Sequence, residues 1–137
     1  MTKFISATVL LQRPDGSILM QLRDDGGNTP IPYPNTWNFP GGLVEPREKP
    51  IEAAIREMAE EFEIRLDPAD CKEIWRYTHD HAASDHIFLC QVPADTIPVL
   101  HEGAAWAWMA LGEIAKLDLG FEQAKIVAYI LQGFERS

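Results

Sequence analysis

Residues 50–63 carry the pattern that most constrains how this chain can fold. Apolar side chains recur there at intervals of three and four residues, the spacing of one helix face; they are Ile51, Ala54, Ile55, Met58, Ala59 and Phe62. Pro50 stands at the start, where a residue without an N–H is tolerated in the first turn of a helix. The pattern predicts a helix from about residue 50 to 63 with one face buried.

The same predicted helix is acidic on another side. Glu57, Glu60 and Glu61 lie three or four residues apart, or next to one another, and so project to roughly the same side. Clustered carboxylates repel one another unless a positive charge neutralises them, and hard divalent cations prefer oxygen ligands. The cluster therefore predicts a metal-binding surface, with a solvated acidic helix face as the simpler alternative.

The segments around this helix have the composition of strands. Alternating and β-branched residues predict strands at 3–12, 17–23, 73–78, 86–92 and 104–109, with a short extended piece at 37–39. The Pro14-Asp15-Gly16 turn makes the first two strands a hairpin. Loops are expected at the proline-rich segment 24–35 and the polar segment 79–85, and a second amphipathic helix at 119–134. This order predicts an α/β fold, with one mixed sheet flanked by helices.

Composition narrows the class of protein. The 137 residues fit one domain, 1–137, in which 46% of the residues are hydrophobic and 24% are charged. A net charge of -9 argues against a nucleic-acid polymer as partner. It does not exclude a small phosphorylated ligand, because a bound metal reverses the local sign of charge. No segment has the length of a membrane span and the first residues do not form a signal peptide, so we expect a cytoplasmic protein.

Cysteine and histidine residues give weaker signals. Cys71 and Cys90 show no metal-ligand spacing, and we interpret both as reduced thiols within strands. His79, His81 and His86 are close in sequence but lack an evident further ligand, so a zinc site is disfavoured. The sequence also lacks a nucleophilic Ser/His/Asp arrangement and a phosphate-binding loop of the P-loop kind.

Fixed spacing links the acidic helix to the residues before it. Gly42, Glu48, Arg56-Glu57, Met58, Glu60-Glu61 and Ile64 fall on the positions of a motif. In that motif a glycine is followed after five residues by Glu, then after seven by Arg-Glu, an aliphatic residue, any residue and Glu-Glu. Any residue, a glycine and an aliphatic residue complete it. The segment thereby resembles the signature of the Nudix hydrolases, with one departure, because Glu63 stands at the last glycine position.

The resemblance implies a fold and a reaction. The fold is an α/β/α sandwich around a mixed sheet. The reaction is Mg²⁺-dependent hydrolysis of a diphosphate linkage in a nucleoside diphosphate joined to another group, with Mn²⁺ as an alternative metal. The chemistry of the residues agrees, because cleaving a diphosphate needs charge neutralisation at phosphoryl oxygens and a positioned water. The expected substrate is a nucleoside triphosphate, including oxidised ones, that yields a monophosphate and pyrophosphate. Nucleoside-diphosphate sugars and dinucleotides remain open, and homodimers are common among proteins resembling this one.

Roles follow residue by residue from the resemblance. Glu57, Glu60 and Glu61 are the expected metal ligands, and Gly42 is a weaker candidate through its backbone carbonyl. Arg56 is expected to support a motif carboxylate, either Glu60 four residues later or Glu48 before the helix. Glu48 itself suits a helix N-terminus.

Other positions have less specific signals. Gly41 and Gly42 allow close approach of the backbone to a metal or phosphate. Glu102 is a candidate catalytic base or further metal ligand, against an exposed loop glutamate. Arg23 is a candidate phosphate contact, and Trp37 lines a pocket or belongs to the core.

Glu63 is expected to end the helix in a left-handed conformation, at a cost on the order of 1 kcal/mol. The alternative to an enzyme is a Nudix-like module that binds a nucleotide without hydrolysing it, as a sensor or interaction domain. Since all four motif carboxylates are present, hydrolysis is the preferred hypothesis.

Overall fold

The computed structural model describes residues 4–79 and 83–136. Its strands are β1 (Phe4–Gln12), β2 (Ile18–Leu22), β3 (Trp37–Asn38), β4 (Gly41–Leu43), β5 (Cys71–His79), β6 (Ala83–Gln91) and β7 (Ala105–Met109). Its helices are α1 (Pro50–Phe62), the short α2 (Leu111–Ile114) and α3 (Ala124–Arg136), with a single 3₁₀ turn at Pro68–Asp70. No helix in these two stretches is both long and apolar enough to cross a membrane.

Strand β1 is the centre of a mixed sheet. It runs parallel to β6 along its whole length, from Phe4 opposite Ala83 to Gln12 opposite Gln91. It also pairs antiparallel with β2 and with β4. Strand β2 continues the sheet to β3 and β7, and β5 forms the other edge beside β6. The pairing of β4 with β1 places β4 against α1.

Apolar residues cover both faces of this sheet because side chains alternate along a strand. On one face Ala7, Val9 and Leu11 pack with α1 through Ala54, Met58 and Phe62. On the other face Leu10, Ile18 and Met20 pack with α3 through Ile126 and Val127. The expected α/β arrangement of a mixed sheet between helices is therefore confirmed.

Two predicted segments are corrected by the structure. The loop expected at 79–85 is largely strand: β5 extends to His79 and β6 begins at Ala83, because residues 83–85 pair with residues 4–6 of β1. The helix expected at 119–134 begins only at Ala124, because Phe121 and Glu122 both have a positive φ, which interrupts helical backbone.

Cys71 and Cys90 face each other in the register of β5 and β6 and are free thiols. Burial raises the pKa of both thiols, which disfavours the reactive thiolate.

Candidate active site

A cleft of about 1120 Å³ lies beside α1 and collects most of the predicted site residues. Its walls come from strands β1, β2, β3, β4 and β6, from α1, and from the loops after β2 and before β7 and α3. Among the predicted residues, those that line it are Arg23, Gly41, Gly42, Arg56, Glu57, Glu60, Glu61 and Glu102. Trp37 instead packs against the core cluster beneath α3, and it is absent from the described residues that line the cleft.

Arg56 connects the two halves of the motif. Its Nε and Nη2 atoms donate to the two oxygens of Glu48 at 2.8 and 2.9 Å, a two-pronged geometry that suits the planar guanidinium. Its Nη1 atom donates to Glu57 at 2.8 Å and, less closely, to Glu60 at 3.4 Å. Both partners left open by the sequence are therefore found, and the pair with Glu48 is the tighter. The guanidinium lowers the pKa of Glu48 to about 2.

The two glycines before the motif are required by close contacts. A Cβ atom added to Gly42 would lie 2.5 Å from Cδ of Glu57, so the missing side chain makes room for that carboxylate. A Cβ atom added to Gly41 would lie 2.1 Å from the carbonyl oxygen of Ala7 on the paired strand. Gly42 thus shapes the acidic cluster, whereas Gly41 allows β4 to pair with β1.

Glu61 is the buried member of the acidic cluster, with only 7% of its surface exposed. Its Oε2 atom is buried and has no hydrogen-bond partner among the described residues. Burial first, and then the nearby carboxyl groups of Glu57, Glu102 and Glu60, raise the pKa of Glu61 to about 9. An unpartnered buried carboxylate oxygen is costly unless a cation or proton satisfies it.

The cluster offers oxygen ligands, but the described side chains do not form a completed metal site. No three of the carboxylate, imidazole or thiol groups in residues 4–79 and 83–136 stand close enough to hold one metal ion as they are. Two of the glutamates are instead engaged by Arg56. The donor chemistry of Glu57, Glu60 and Glu61 nevertheless fits a hard divalent cation, and the unpartnered oxygen of Glu61 is what such a cation would satisfy.

The carboxyl end of α1 lies against the segment that carries Glu102. Glu63 has φ 54° and ψ 33°, the left-handed conformation expected at the motif's glycine position. Its amide and that of Ile64 donate to Ala59 and Met58, which closes the helix. The Oε2 atom of Glu63 lies 2.6 Å from Nε2 of His101, the residue before Glu102.

Arg23 reaches the cleft from the end of β2. Its guanidinium carbon lies 4.9 Å from the centre of the Phe121 ring, and its Nε atom donates to the carbonyl oxygen of Pro32 at 3.0 Å. These contacts fix the guanidinium at the cleft wall and leave its other N–H groups available as donors.

Several cleft residues had no signal in the sequence. Asp85 is buried, and both of its oxygens accept a hydrogen bond from the Thr8 hydroxyl at 2.9 Å; Ser6 donates to one of them at 3.0 Å. Asn38 accepts from the amide of Gly120 at 2.8 Å. These partners are about 80 residues apart along the chain, so only the folded sheet brings them together.

The histidines do not form a shared site in the described residues. His86 is buried on the sheet face beneath α1, and its Nδ1 atom lies 2.5 Å from Glu73. The side chain of His79 and the whole of His81 lie outside the described residues.

Comparison with known proteins places this geometry in a family. The NUDIX domain family model matches residues 2–130. The dihydroneopterin triphosphate diphosphatase of Haemophilus influenzae is 28% identical, over 93% of this chain and 87% of that protein.

Solved structures show the same fold. A MutT structure, described for Aliivibrio salmonicida and Vibrio cholerae, superposes with a TM-score of 0.80 at 21% identity, covering 96% of this chain and 99% of that one. A bifunctional NMN adenylyltransferase/ADP ribose pyrophosphatase from Francisella tularensis, complexed with AMP and a Mn ion, has a TM-score of 0.72 at 21% identity, over 96% of this chain and 42% of that one. Since the family match spans nearly the entire sequence, this chain belongs to the Nudix hydrolases.

Proposed function

We propose that this Nudix pyrophosphohydrolase uses Mg²⁺, or Mn²⁺ in its place, to hydrolyse a nucleoside triphosphate to a monophosphate and pyrophosphate. The observation that carries the proposal is the buried, unpartnered oxygen of Glu61 within a group of three further glutamates. A cation would satisfy this oxygen and offset the negative charges around the buried carboxylate, which otherwise disfavour one another.

The charge of the cleft supports a metal-dependent reaction. The described lining residues include eight carboxylates, which are Asp24, Glu45, Glu57, Glu60, Glu61, Asp85, Glu102 and Glu122. They include two arginines, of which Arg56 is already paired with glutamates. A polyphosphate would be repelled by this surface, so divalent cations are needed to reverse its sign.

Each motif residue has a proposed role in the reaction. Glu57, Glu60 and Glu61 would hold the cation after their long side chains adjust, with the Gly42 carbonyl as a further ligand. Bound metal ions neutralise phosphoryl oxygens and make a water a better nucleophile. Glu102, which lies in the cleft close to Glu61, is proposed to accept the proton of the attacking water or to complete the metal site. Arg56 keeps Glu57 and Glu60 in place.

The substrate's organic part would occupy the portion of the cleft lined by Ser6, Thr8, Asn38, Asp85 and Phe121. Hydroxyl, amide and carboxylate groups there offer hydrogen bonds to a heterocyclic base, and the Phe121 ring offers a stacking surface. The relative named for dihydroneopterin triphosphate makes a pterin triphosphate a further substrate to include. A cytoplasmic location and a homodimer stay predictions.

A substrate panel tests the proposal. Pyrophosphate release is measured from the standard and oxidised nucleoside triphosphates and dihydroneopterin triphosphate, and nucleoside monophosphate release from nucleoside-diphosphate sugars and dinucleotides. Each reaction is run with Mg²⁺ and with EDTA. We expect Mg²⁺-dependent release by the wild type and its loss in Glu60→Gln and Glu61→Gln. Asp95→Asn, which changes an exposed carboxylate outside the cleft, is the matched control.

The panel also separates hydrolysis from binding alone. No turnover of any substrate, or unchanged turnover in both glutamine variants, would refute the proposed function. Tight nucleotide binding without turnover would instead support the sensor alternative.

A further inference from the structure

The segment before β7 is attached to the carboxyl end of α1 by backbone hydrogen bonds. The amide of Val99 donates to the carbonyl of Phe62 at 2.9 Å, and the amide of His101 donates to the carbonyl of Glu61 at 2.8 Å. The carbonyl groups in the last turn of a helix have no N–H donor within the helix itself. The amides of the segment therefore donate to carbonyl groups that have no partner within α1.

The same segment is held from the opposite direction by β2. The side-chain amide of Gln21 donates to the carbonyl of Glu102 at 2.6 Å, and the amide of Ala104 donates to the carbonyl of Leu22 at 2.8 Å. Gly103 is also confined, because a Cβ atom there would lie 2.8 Å from the carbonyl oxygen of Leu22. The backbone of Glu102 thus lies between two fixed elements, α1 and β2.

A side-chain contact adds to these backbone hydrogen bonds, and it involves Glu63, the residue that departs from the motif. Glu63 adopts a left-handed conformation. Glycine adopts this conformation without steric cost, whereas a glutamate is strained in it. Its described contact is with His101, at 2.6 Å. Both side chains are about half exposed, at 55% and 52%, and exposed ion pairs contribute little to stability. The contact is therefore better suited to orient a loop than to stabilise the fold.

We propose that Glu63 and His101 form a positioning pair that holds Glu102 beside Glu61, where the two carboxylates share a divalent cation. This inference rests on the proposed metal-dependent hydrolysis. It gives the substitution at the motif glycine a function, because the chain accepts a strained helix end and gains a contact to the loop that carries a catalytic candidate. His101 and Glu63 act through Glu102 and touch neither metal nor substrate.

Replacing Glu63 separates positioning from stability. Glu63→Gly removes the contact and also relieves the left-handed backbone, so its melting temperature should equal or exceed that of the wild type. Its affinity for Mn²⁺, measured by calorimetric titration of the metal-free protein, should fall about fivefold, the most that an exposed pair supplies, as should kcat at limiting Mg²⁺. KM for the nucleotide at saturating Mg²⁺ should remain unchanged. A protein with higher stability and weaker metal binding is not what a merely structural role predicts.

Four further variants complete the test. Glu63→Gln keeps an oxygen that accepts from the His101 ring, so it should retain Mn²⁺ affinity within about twofold of the wild type. His101→Ala should lose as much Mn²⁺ affinity as Glu63→Gly. The double variant should lose no more than either single variant, because the two residues act as one unit. Arg76→Ala, which breaks the exposed pair with Glu73 outside the cleft, should leave Mn²⁺ affinity unchanged.

The outcomes distinguish this inference from the proposed function. If the wild type hydrolyses no substrate, the proposed function fails, and the Mn²⁺ titrations still decide whether the pair positions a metal ligand. If the wild type hydrolyses nucleotides while Glu63→Gly and His101→Ala retain wild-type Mn²⁺ affinity and kcat, the positioning pair is refuted.

Discussion

At the scale of one residue, the proposed metal ligand Glu61 is costly to the stability of the metal-free protein. Its carboxyl group is buried, and one oxygen has no partner among the described residues. The pKa of about 9 in the fold, against 4.5 for an ordinary glutamate, means that stability is lost as pH rises from about 4.5 toward 9. A cation would remove this penalty, because it satisfies the oxygen and offsets the neighbouring charges.

Glu61→Gln should therefore stabilise the metal-free protein. At pH 7 in EDTA we expect the free energy of unfolding to rise by about 1–3 kcal/mol, because the variant buries no ionisable group at this position. Hydrolysis should fall roughly 100-fold or more, since a proposed metal ligand is lost. Urea unfolding with and without Mg²⁺ provides the measurement. A variant less stable than the wild type in EDTA would contradict this account of Glu61.

The two adjacent glycines should respond differently to alanine. In Gly42→Ala the new methyl group meets the end of the flexible Glu57 side chain, which can move, so the loss of stability should stay below about 1 kcal/mol. The displaced carboxylate should nevertheless weaken Mg²⁺ activation. In Gly41→Ala the methyl group meets the backbone of β1, and we expect a loss of about 3 kcal/mol or more. Equal effects of both changes on urea unfolding would refute this distinction.

Among the elements, α1 was the one that the sequence described best. The predicted helix at 50–63 matches Pro50–Phe62, because its apolar spacing, its first-turn proline and its left-handed end at Glu63 all agree. The contacts of the acidic face were also predictable, since Arg56 reaches Glu48 and Glu60 over eight and four residues. These are local relations within one helix and the turn before it.

The start of α3 was mispredicted for a reason that lies outside the local sequence. Residues 119–134 have a helical apolar pattern, but Gln123 is held in the turn before the helix. Its side-chain oxygen accepts from the amide of Phe39 at 2.8 Å, across 84 residues of chain. Periodicity does not report a hydrogen bond to a distant strand, so the pattern was extended too far toward the N-terminus.

Gln123→Ala should show the importance of this contact between the two elements. It would leave the buried amide of Phe39 without its partner, at a cost of about 1–3 kcal/mol in the free energy of unfolding. Gln91→Ala removes an exposed glutamine that donates to Gln12, and it should cost less than about 0.5 kcal/mol. Urea denaturation compares the two. Similar losses in both variants would show that the buried contact has no special role.

At the scale of the molecule, one wall of the cleft is the feature that the sequence did not predict. The acidic portion was predicted because its residues share one motif. The portion lined by Thr8, Asn38 and Asp85 requires the parallel pairing of β1 with β6 and the docking of the loop before α3, where the Gly120 amide donates to Asn38. Such pairings depend on which strands become neighbours, and no local pattern encodes that choice. The reaction class was accordingly predictable from sequence, whereas the wall proposed to bind the organic part of the substrate was not.

Acid sensitivity is a property of the whole molecule that Glu48 should influence. Its pKa is lowered from 4.5 to about 2, first by the hydrogen bond from Arg56 and then by the amide of Glu45. A lowered carboxyl pKa contributes stability that is fully present above about pH 4.5 and is lost as pH falls toward 2. The wild type should therefore lose stability across this window.

Glu48→Gln should flatten the dependence of stability on pH between about 4.5 and 2, because the variant has no proton to take up at this position. The difference in slope from the wild type should correspond to roughly one bound proton at most. Urea unfolding at a series of pH values measures it, with Asp95→Asn as a control that should keep the wild-type slope. Parallel curves for Glu48→Gln and the wild type would show that the pair with Arg56 does not couple protonation to folding.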